Sequence, residues 1–524
     1  MNFTKRKINK KEKKESLINI YKRYKQEKKE NQELEINNQY ENEETPKKKF
    51  NINISKKYTV ILTILALSIL ILSISIAIIK TFKSIDYTVL LEAAGDELLV
   101  DNFGHTNFLI LGKGGLNHDG SDLTDSILVV SLDKKLKKIT ILSVPRDLYI
   151  QDDLVGSSRI NEVYYYAKKY YDSSEKGIIH LKDKIEEKLD LEIHYYFMVD
   201  FKGFKEIVDS LNGIEVYVET AIYDPFYPKD GTYEYETFSI SEGLTQMDGE
   251  LALKYARSRK TTSDFDRAKR QQEIMYAIKE KALSTKTLLS VDKINKLLTT
   301  IKANIETNLT PEEMLTLGSY AKDFNEESIS HKLLHDDPSY CGGLLYTPLR
   351  ELYGGMFILL PAGGDNFLQM YSNLLFDNPT IDIENTKIHI LNGTKKSSAA
   401  TTTKSILERM CFDVVRYGNG QSQEVLNTTY YYQILKDVDG NIIKDRPIAI
   451  DYFKTIIPGT ESIVIPEAYK KYMADTDILI ELGDNYVNSD MYISDPYYYM
   501  ETIINTTPTK PITTETTSET WLKE

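Results

Sequence analysis

LTDSILVVSLDKKLKKITILSVPRDLYI, residues 123–150, is the stretch from which the fold is read. Residues 125–133 and 137–145 are apolar, β-branched runs of strand length. The Asp133–Lys135 turn between them makes the pair a hairpin. Upstream, NFLILG (107–112) reads as another buried strand. Downstream, 161–171 and 176–189 read as helices, 194–201 as a strand, 202–211 as a helix and 213–219 as a strand. Residues 224–236 read as a loop, 244–255 begins helical, and 274–283 continues a helix. Strands with intervening helices predict an α/β fold, a mixed β-sheet flanked by helices.

The chain has 524 residues and a net charge of −13, unevenly spread. Residues 1–57 hold 17 Lys+Arg against 9 Asp+Glu, so the remainder carries −21. A basic leader before an acidic body argues against nucleic acid as partner, because the body offers no basic surface to track a polyanion. Residues 1–57 read as a disordered cytoplasmic tail. YTVILTILALSILILSISIAII (58–79) is 22 residues without a charge, enough for a transmembrane helix across the ~30 Å hydrocarbon core. Lysines 47–49 and 56–57 precede it, so the positive-inside rule puts the tail in the cytoplasm and everything after about residue 82 outside. This predicts a single-pass membrane protein with an extracytoplasmic linker (80–105) and a large external part.

Charged chemistry gathers at element ends. NHDGSDLTDS (117–126) is a glycine- and aspartate-rich loop running into a strand, and Pro145–Arg146–Asp147 follows a strand. YARSRKTTSDFDRAKRQQ (255–272) is the densest cluster. On a strand, Arg257 and Arg259 would share one face. Arg267, Arg270 and Gln271 fall at i, i+3, i+4, one face of a helix, and Asp264 stands where its N-cap is expected. Arginine forks match phosphate oxygens bidentately, and carboxylates beside them suit a diphosphate with a divalent metal. A surface ion-pair network with Asp264 and Asp266 is the plain alternative.

Residues 286–335 read as mostly helical, the start of a helical extension and connecting segment over 286–380. A small α/β unit follows at 387–485, built from a strand (387–393), an amphipathic helix (398–410), a strand (412–418) and a late buried strand (475–483). The tail 486–524 is Tyr/Thr/Pro-rich and reads as disordered. Cys341 and Cys411 are the only cysteines. They form no Cys/His array, so structural zinc is not expected. Two free thiols are the simpler reading, with a disulfide chemically possible outside the membrane.

In order, NFLILG, residues 123–150, RINEVYYYA, FMVDFKGFKEIVDSLNGIEVYV and LTQMDGELALKYARSRKTTSDFDRAKRQQ resemble the successive blocks of the LytR-CpsA-Psr family, over roughly 106–285 as the catalytic domain. KIHILNGT and DILIELGDNY, in 387–485, resemble the LytR C-terminal domain. The resemblance implies transfer of a glycopolymer from an undecaprenyl-diphosphate carrier to a peptidoglycan-type acceptor hydroxyl, making a phosphodiester, with Mg²⁺ or another divalent cation. It implies Asp125 as a metal-binding residue, Arg146 as a diphosphate-binding residue and Asp147 as its motif partner. Arg257, Arg259, Arg267 and Gln271 match the phosphate-contacting set, Arg270 stands beside them, and Asp264 matches the Asp at the helix start. Asn161 falls within a family block.

Two positions depart from the pattern. Gly114 stands where many members have a metal-holding Asp, and Leu123 where many have an Arg. Asp119 or Asp122 from the longer loop is the candidate replacement ligand. A lipid-diphosphate hydrolase and a non-catalytic envelope-binding or regulatory protein are the competing readings. Asp119→Ala is expected to weaken Mg²⁺ binding measured by calorimetry; unchanged affinity would count against Asp119 as a ligand.

Overall fold

A computed structural model describes residues 97–492 apart from 116–119, 230–231, 233, 259–263, 283, 285–290 and 321–323. The 1–57 tail, the 58–79 span, most of the linker, Asp119, Arg259 and most of the 486–524 tail lie outside the described residues, as does the side chain of Asp264. Among the described residues no helix is long and apolar enough to cross a membrane. These residues divide into a small unit, 215–222 with 240–245, and a large one holding the rest.

The chain opens with β1 (His105–Lys113), β2 (Thr124–Asp133), β3 (Lys138–Val144), β4 (Tyr149–Asp152) and β5 (Gly156–Arg159). Helices α1 (Ile160–Tyr171) and α2 (Ser174–Leu189), strand β6 (Tyr195–Asp200) and helix α3 (Phe201–Ser210) follow. Next come β7 (Ile214–Val218), β8 (Ile222–Pro228), β9 (Tyr235–Ile240) and β10 (Gly243–Met247), then α4 (Gly249–Arg257) and α5 (Asp264–Ala282). Helix α6 (Val291–Asn304), β11 (Ile305–Thr307), α7 (Pro311–Tyr320) and β12 (Ile329–Leu333) complete the main sheet and its cover. That sheet has six strands in the order β11-β6-β1-β2-β3-β12. The β1–β2 and β2–β3 pairs are antiparallel, while β6 joins β1 and β12 joins β3 in parallel.

Period-two alternation sorts the strand side chains between two faces. Leu109, Leu111, Ile127, Val129, Leu142 and Val144 share a core with α1 and α2 residues such as Val163, Leu181 and Ile185. Phe108, Leu132 and Tyr195 form a second cluster, against which Val130, Ile139 and the α7 residues Met314 and Leu317 pack. The helices start on side-chain caps. Ser173 accepts from Lys176 N, Asp200 from Gly203 N and Asp248 from Leu251 N. At the start of α1 the Glu162 carboxylate accepts from both the Arg159 backbone amide, at 3.0 Å, and the Arg159 guanidinium, at 2.7 Å. Close approach of α4 to α3 depends on Gly249, where a Cβ would lie 2.3 Å from the Lys205 carbonyl oxygen.

The second part begins with α8 (Asp365–Phe376) and α9 (Pro379–Glu384), after short strands β13 (Leu345–Tyr346) and β14 (Leu360–Pro361). It continues through β15 (Lys387–Asn392), α10 (Ala399–Arg409), β16 (Asp413–Asn419), β17 (Thr429–Tyr431), β18 (Leu435–Lys436) and β19 (Ile442–Lys444). Helix α11 (Ala449–Ile456), β20 (Thr460–Ser462) and β21 (Ile478–Leu482) finish a five-stranded sheet ordered β16-β15-β21-β17-β20. Its core residues Ile388, Ile390, Phe453 and Ile480 belong to the same buried cluster as Leu109 and Leu142 of the first sheet. Helix α8 runs between the parts. Asp365 pairs with Lys188 at 2.7 Å, and Gln369 donates to the Glu187 carbonyl.

Three expectations are corrected. Residues 224–236 are not a loop: β8 and β9 form a two-stranded sheet. Pro225 and Pro228 argue against a central strand, but a two-stranded ribbon tolerates them. The 286–335 segment is not helical throughout, because β11 and β12 become the two edge strands of the main sheet. Both are short, without a decisive apolar alternation, and become strands by pairing with β6 and β3. The two cysteines are not free thiols: Cys341 and Cys411 form a disulfide, with Cα atoms 4.6 Å apart.

Asp152 shows how a turn charge contributes to stability. Its carboxylate accepts from the Leu154 and Val155 amides and lies 3.1 Å from His180 and 3.2 Å from Lys184. Burial works to raise its pKa, but the Val155 amide, His180, Lys184 and the Leu154 amide bring it down to about 2. The unfolded value is about 3.9. The stabilisation is therefore fully present above that value and is lost as pH falls through about 2. Asp152→Ala is expected to cost roughly 2–3 kcal/mol in urea unfolding at pH 7, and the gap from wild type should narrow as the pH is lowered. A gap independent of pH would contradict this.

Candidate active site

A cleft of about 480 Å³ opens on the main sheet, at the ends of β2, β3 and β12. Its polar lining includes Asp125, Arg146, Asp147, Arg159, Arg267 and Gln271. Four separate stretches of sequence thus converge on one space: the start of β2, the turn after β3, the end of β5, and the first turns of α5. Apolar residues Ile127, Leu128, Val144, Leu334, Phe357 and Leu359 line it as well.

An alternating chain of charges orders the polar side. Arg146 Nη1 donates to Asp125 Oδ1 at 2.8 Å, and Arg146 Nε lies 3.6 Å from Asp147 Oδ2. Arg159 Nη1 lies 3.6 Å from Asp147 Oδ1, while its Nη2 donates to Glu162 at 2.7 Å. Burial of Arg146 opposes its charge, but Asp125 and then Asp147 outweigh that and raise its pKa above the ordinary arginine value. Burial would raise Glu162, yet its hydrogen bonds from Arg159 hold the carboxyl below the usual range. Both arginines are therefore permanent cations fixed by carboxylates. Arg159 escaped the sequence reading; its signal is the RINE run, in which it serves as both α1 cap and ion-pair partner.

Asn161 is buried beneath this chain at 2% exposure. Its Nδ2 lies 3.4 Å from Asp125 Oδ1, and its Oδ1 has no hydrogen-bond partner among the described residues. The Asp125 carboxylate and this amide oxygen are hard oxygen donors, the type a magnesium-like cation takes with phosphate oxygens and water. Among the described residues no group of three or more His, Cys, Asp or Glu could hold a metal by itself. Asp122, the alternative ligand from the loop, is engaged elsewhere: Lys168 lies at 2.9 Å and Lys113 at 3.5 Å.

The arginine stretch differs from its expected geometry. Arg257 is not on a strand but is the last residue of α4, because Asp248 caps a helix that runs to it. Its guanidinium stacks over Phe201 at 4.2 Å and Tyr227 at 5.5 Å. It is not among the described residues lining the cleft, whereas Arg267 and Gln271 are. Arg270 shares their helix but turns inward. At 5% exposure, it donates to the carbonyl oxygens of Tyr255 and Ser258. Ser258 in turn donates to Asp224 on β8 at 2.8 Å. Arg270 and Asp224 thus brace the α4 end that carries Arg257, a role that helical spacing alone cannot separate from phosphate contact.

The model of the LytR_cpsA_psr family matches residues 78–352. A polyisoprenyl-teichoic acid–peptidoglycan teichoic acid transferase, TagU of Bacillus licheniformis, is 28% identical over 256 residues, 48% of this chain and 76% of its own. The transferase of the same description TagV, from Bacillus subtilis, is 32% identical over 235 residues, 44% of this chain and 54% of its own. The crystal structure of B. subtilis TagV superposes at a TM-score of 0.40 and 25% identity, covering 52% of this chain and 97% of that one. A family model that spans more than half of the chain, and every cleft residue except Phe357 and Leu359, shows that this protein belongs to the LytR_cpsA_psr family.

Proposed function

We propose that this protein transfers a glycopolymer from a polyprenyl-diphosphate carrier to a hydroxyl of a peptidoglycan-type acceptor, forming a phosphodiester. The observation that carries the reading is the convergence of Arg146, Arg159 and Arg267 with Asp125 and Asp147 in one cleft that also has apolar walls. A lipid diphosphate has both characters, two phosphates and an alkyl chain. The names of the TagU and TagV relatives support the same chemistry.

In this reading the acceptor oxygen attacks the sugar-proximal phosphorus. The bond from that phosphorus to the bridging oxygen breaks, and polyprenyl phosphate leaves. Arg146 and Arg267 face the phosphate oxygens and stabilise the charge that builds on them; being held in place beforehand, they need little reorganisation. Val144, Leu334, Phe357 and Leu359 accommodate the first isoprene units. Asp125, with Asn161 beside it, would hold Mg²⁺ or another divalent cation, which would neutralise phosphate charge when bound.

The apolar 58–79 segment supports anchoring in the cytoplasmic membrane with the cleft outside. The Cys341–Cys411 disulfide supports the same placement, since disulfides persist in oxidising compartments. Residues 387–485 read as a LytR C-terminal-type domain.

The test is a purified, reconstituted chain supplied with a polyprenyl-diphosphate-linked glycan, Mg²⁺ and peptidoglycan. Glycan joined to the wall through phosphate, with polyprenyl monophosphate released, is the expected product. Free phosphorylated glycan would instead mark a hydrolase, and binding without turnover a non-catalytic role. Arg146→Ala and Arg267→Ala should each lower kcat/KM on the order of 10²–10³-fold; wild-type rates in both would overturn the site. Arg270→Ala is expected to act through stability instead, lowering it by about 2–4 kcal/mol in chemical unfolding.

A further inference from the structure

The charge chain explains how phosphate would be held but leaves the acceptor's proton without a destination. Of the cleft's carboxylates, Asp125 and Asp147 are both within ion-pair distance of Arg146, and Asp336 accepts from Thr347 Oγ1 at 3.1 Å. A different pair reaches the cleft through its serine. Ser143, two residues before Pro145, lines the cleft, and its Oγ lies 2.9 Å from Nε2 of His331 on β12.

The pair is a product of sheet register. Strands β3 and β12 run parallel, with Ile141 opposite His331 and Ser143 opposite Leu333. These four side chains therefore share one face. Apolar Ile139 and Ile141 precede Ser143 along that face, so the hydroxyl appears where the strand reaches the cleft. Burial, with Lys332 adding a positive neighbour, pushes His331 below the ordinary histidine pKa. The ring is therefore neutral at rest, and its Nε2 is placed to accept from the Ser143 hydroxyl. A hydroxyl bonded to a neutral imidazole within reach of a reacting centre is the arrangement by which enzymes move a proton from an attacking oxygen.

We propose that Ser143 and His331 form the proton relay of the acceptor step. This rests on the transfer reading given above. As the acceptor oxygen forms its bond to phosphorus, its proton passes to Ser143 Oγ, and the Ser143 proton passes to His331 Nε2. The electron pair of the broken bond leaves with the bridging oxygen on polyprenyl phosphate. The imidazolium then returns its proton to water, so serine and histidine end unchanged. The relay requires the histidine tautomer protonated on Nδ1.

The experiment uses the full reconstituted chain with the polyprenyl-diphosphate glycan and peptidoglycan. Ser143→Ala and His331→Gln should each lower kcat on the order of 10²-fold. The KM for the lipid donor and the melting temperature should stay close to wild type. Ser143→Thr, which keeps the hydroxyl, should restore most of the rate. The double variant should be no slower than the slower single variant, because the two groups act as one unit. Wild-type kcat in both single variants would overturn the relay, and so would multiplicative losses in the double variant. If Arg146→Ala is inactive while Ser143→Ala and His331→Gln are not, the relay falls and the transfer reading stands. If the wild type only hydrolyses the donor and both variants lose that activity, the relay stands with water as acceptor and transfer falls. An inactive wild type overturns both.

Discussion

The bond from Arg146 to Asp125 is the constraint around which the cleft is arranged. It joins the start of β2 to the turn after β3, two points 21 residues apart in sequence. Its two side chains are about a third exposed, 36% and 29%. As a stabilising interaction it is therefore small, as surface ion pairs are. Its effect is geometric: it fixes a guanidinium at a sheet end before any anion arrives. The chain continues through Asp147 and Arg159 to Glu162, and so reaches the N-terminus of α1. Backbone bonds from Asn161 N to Arg146 O and from Ile160 N to Leu148 O hold the same corner.

The far wall of the cleft comes from chain well beyond this corner. Leu359 N donates to Asp147 O, and Tyr149 N donates to Leu359 O, both at 2.9 Å, so the 357–359 segment is stitched beside the arginine turn. Strand β12 brings Leu333 to the cleft, and Leu334–Asp336 follow it. The loop after it is tied to the second α/β part by the Cys341–Cys411 disulfide and by Gly342 N donating to Arg409 O at 2.8 Å. A cross-link spanning 70 residues restrains the unfolded chain by about 4 kcal/mol in the loop-entropy account. With a continuous buried cluster between the two sheets, this makes the second part a support of the first rather than a loose appendage.

Much of this was legible in the amino-acid order. The hairpin of β2 and β3, the helices α1 to α3 and the strands β15 and β21 follow from apolar periodicity, because each carries a clear buried face. Asp125, Arg146, Arg267 and Gln271 were legible as a group through motif resemblance, and they do share the cleft. Harder were the elements whose form depends on partners. β12 reads as helix or loop until β3 lies beside it, and β8 carries prolines that discourage a strand. For the same reason His331 was invisible as a neighbour of Ser143, since 188 residues separate them.

Composition and local pattern alone carried an apolar span, a hairpin ending in Pro-Arg-Asp, and an arginine-rich helix start. Those follow from short-range sterics and periodicity. Tertiary structure decided which of the arginines faces the cleft. Arg267 and Arg270 are three apart on one helix, yet the first lines the cavity and the second is buried on two carbonyls. It decided that two cysteines 70 residues apart would meet. The reason is physical: spacing sets the direction of a side chain relative to its own helix or strand, whereas its partners are set by packing against chain that is distant in sequence.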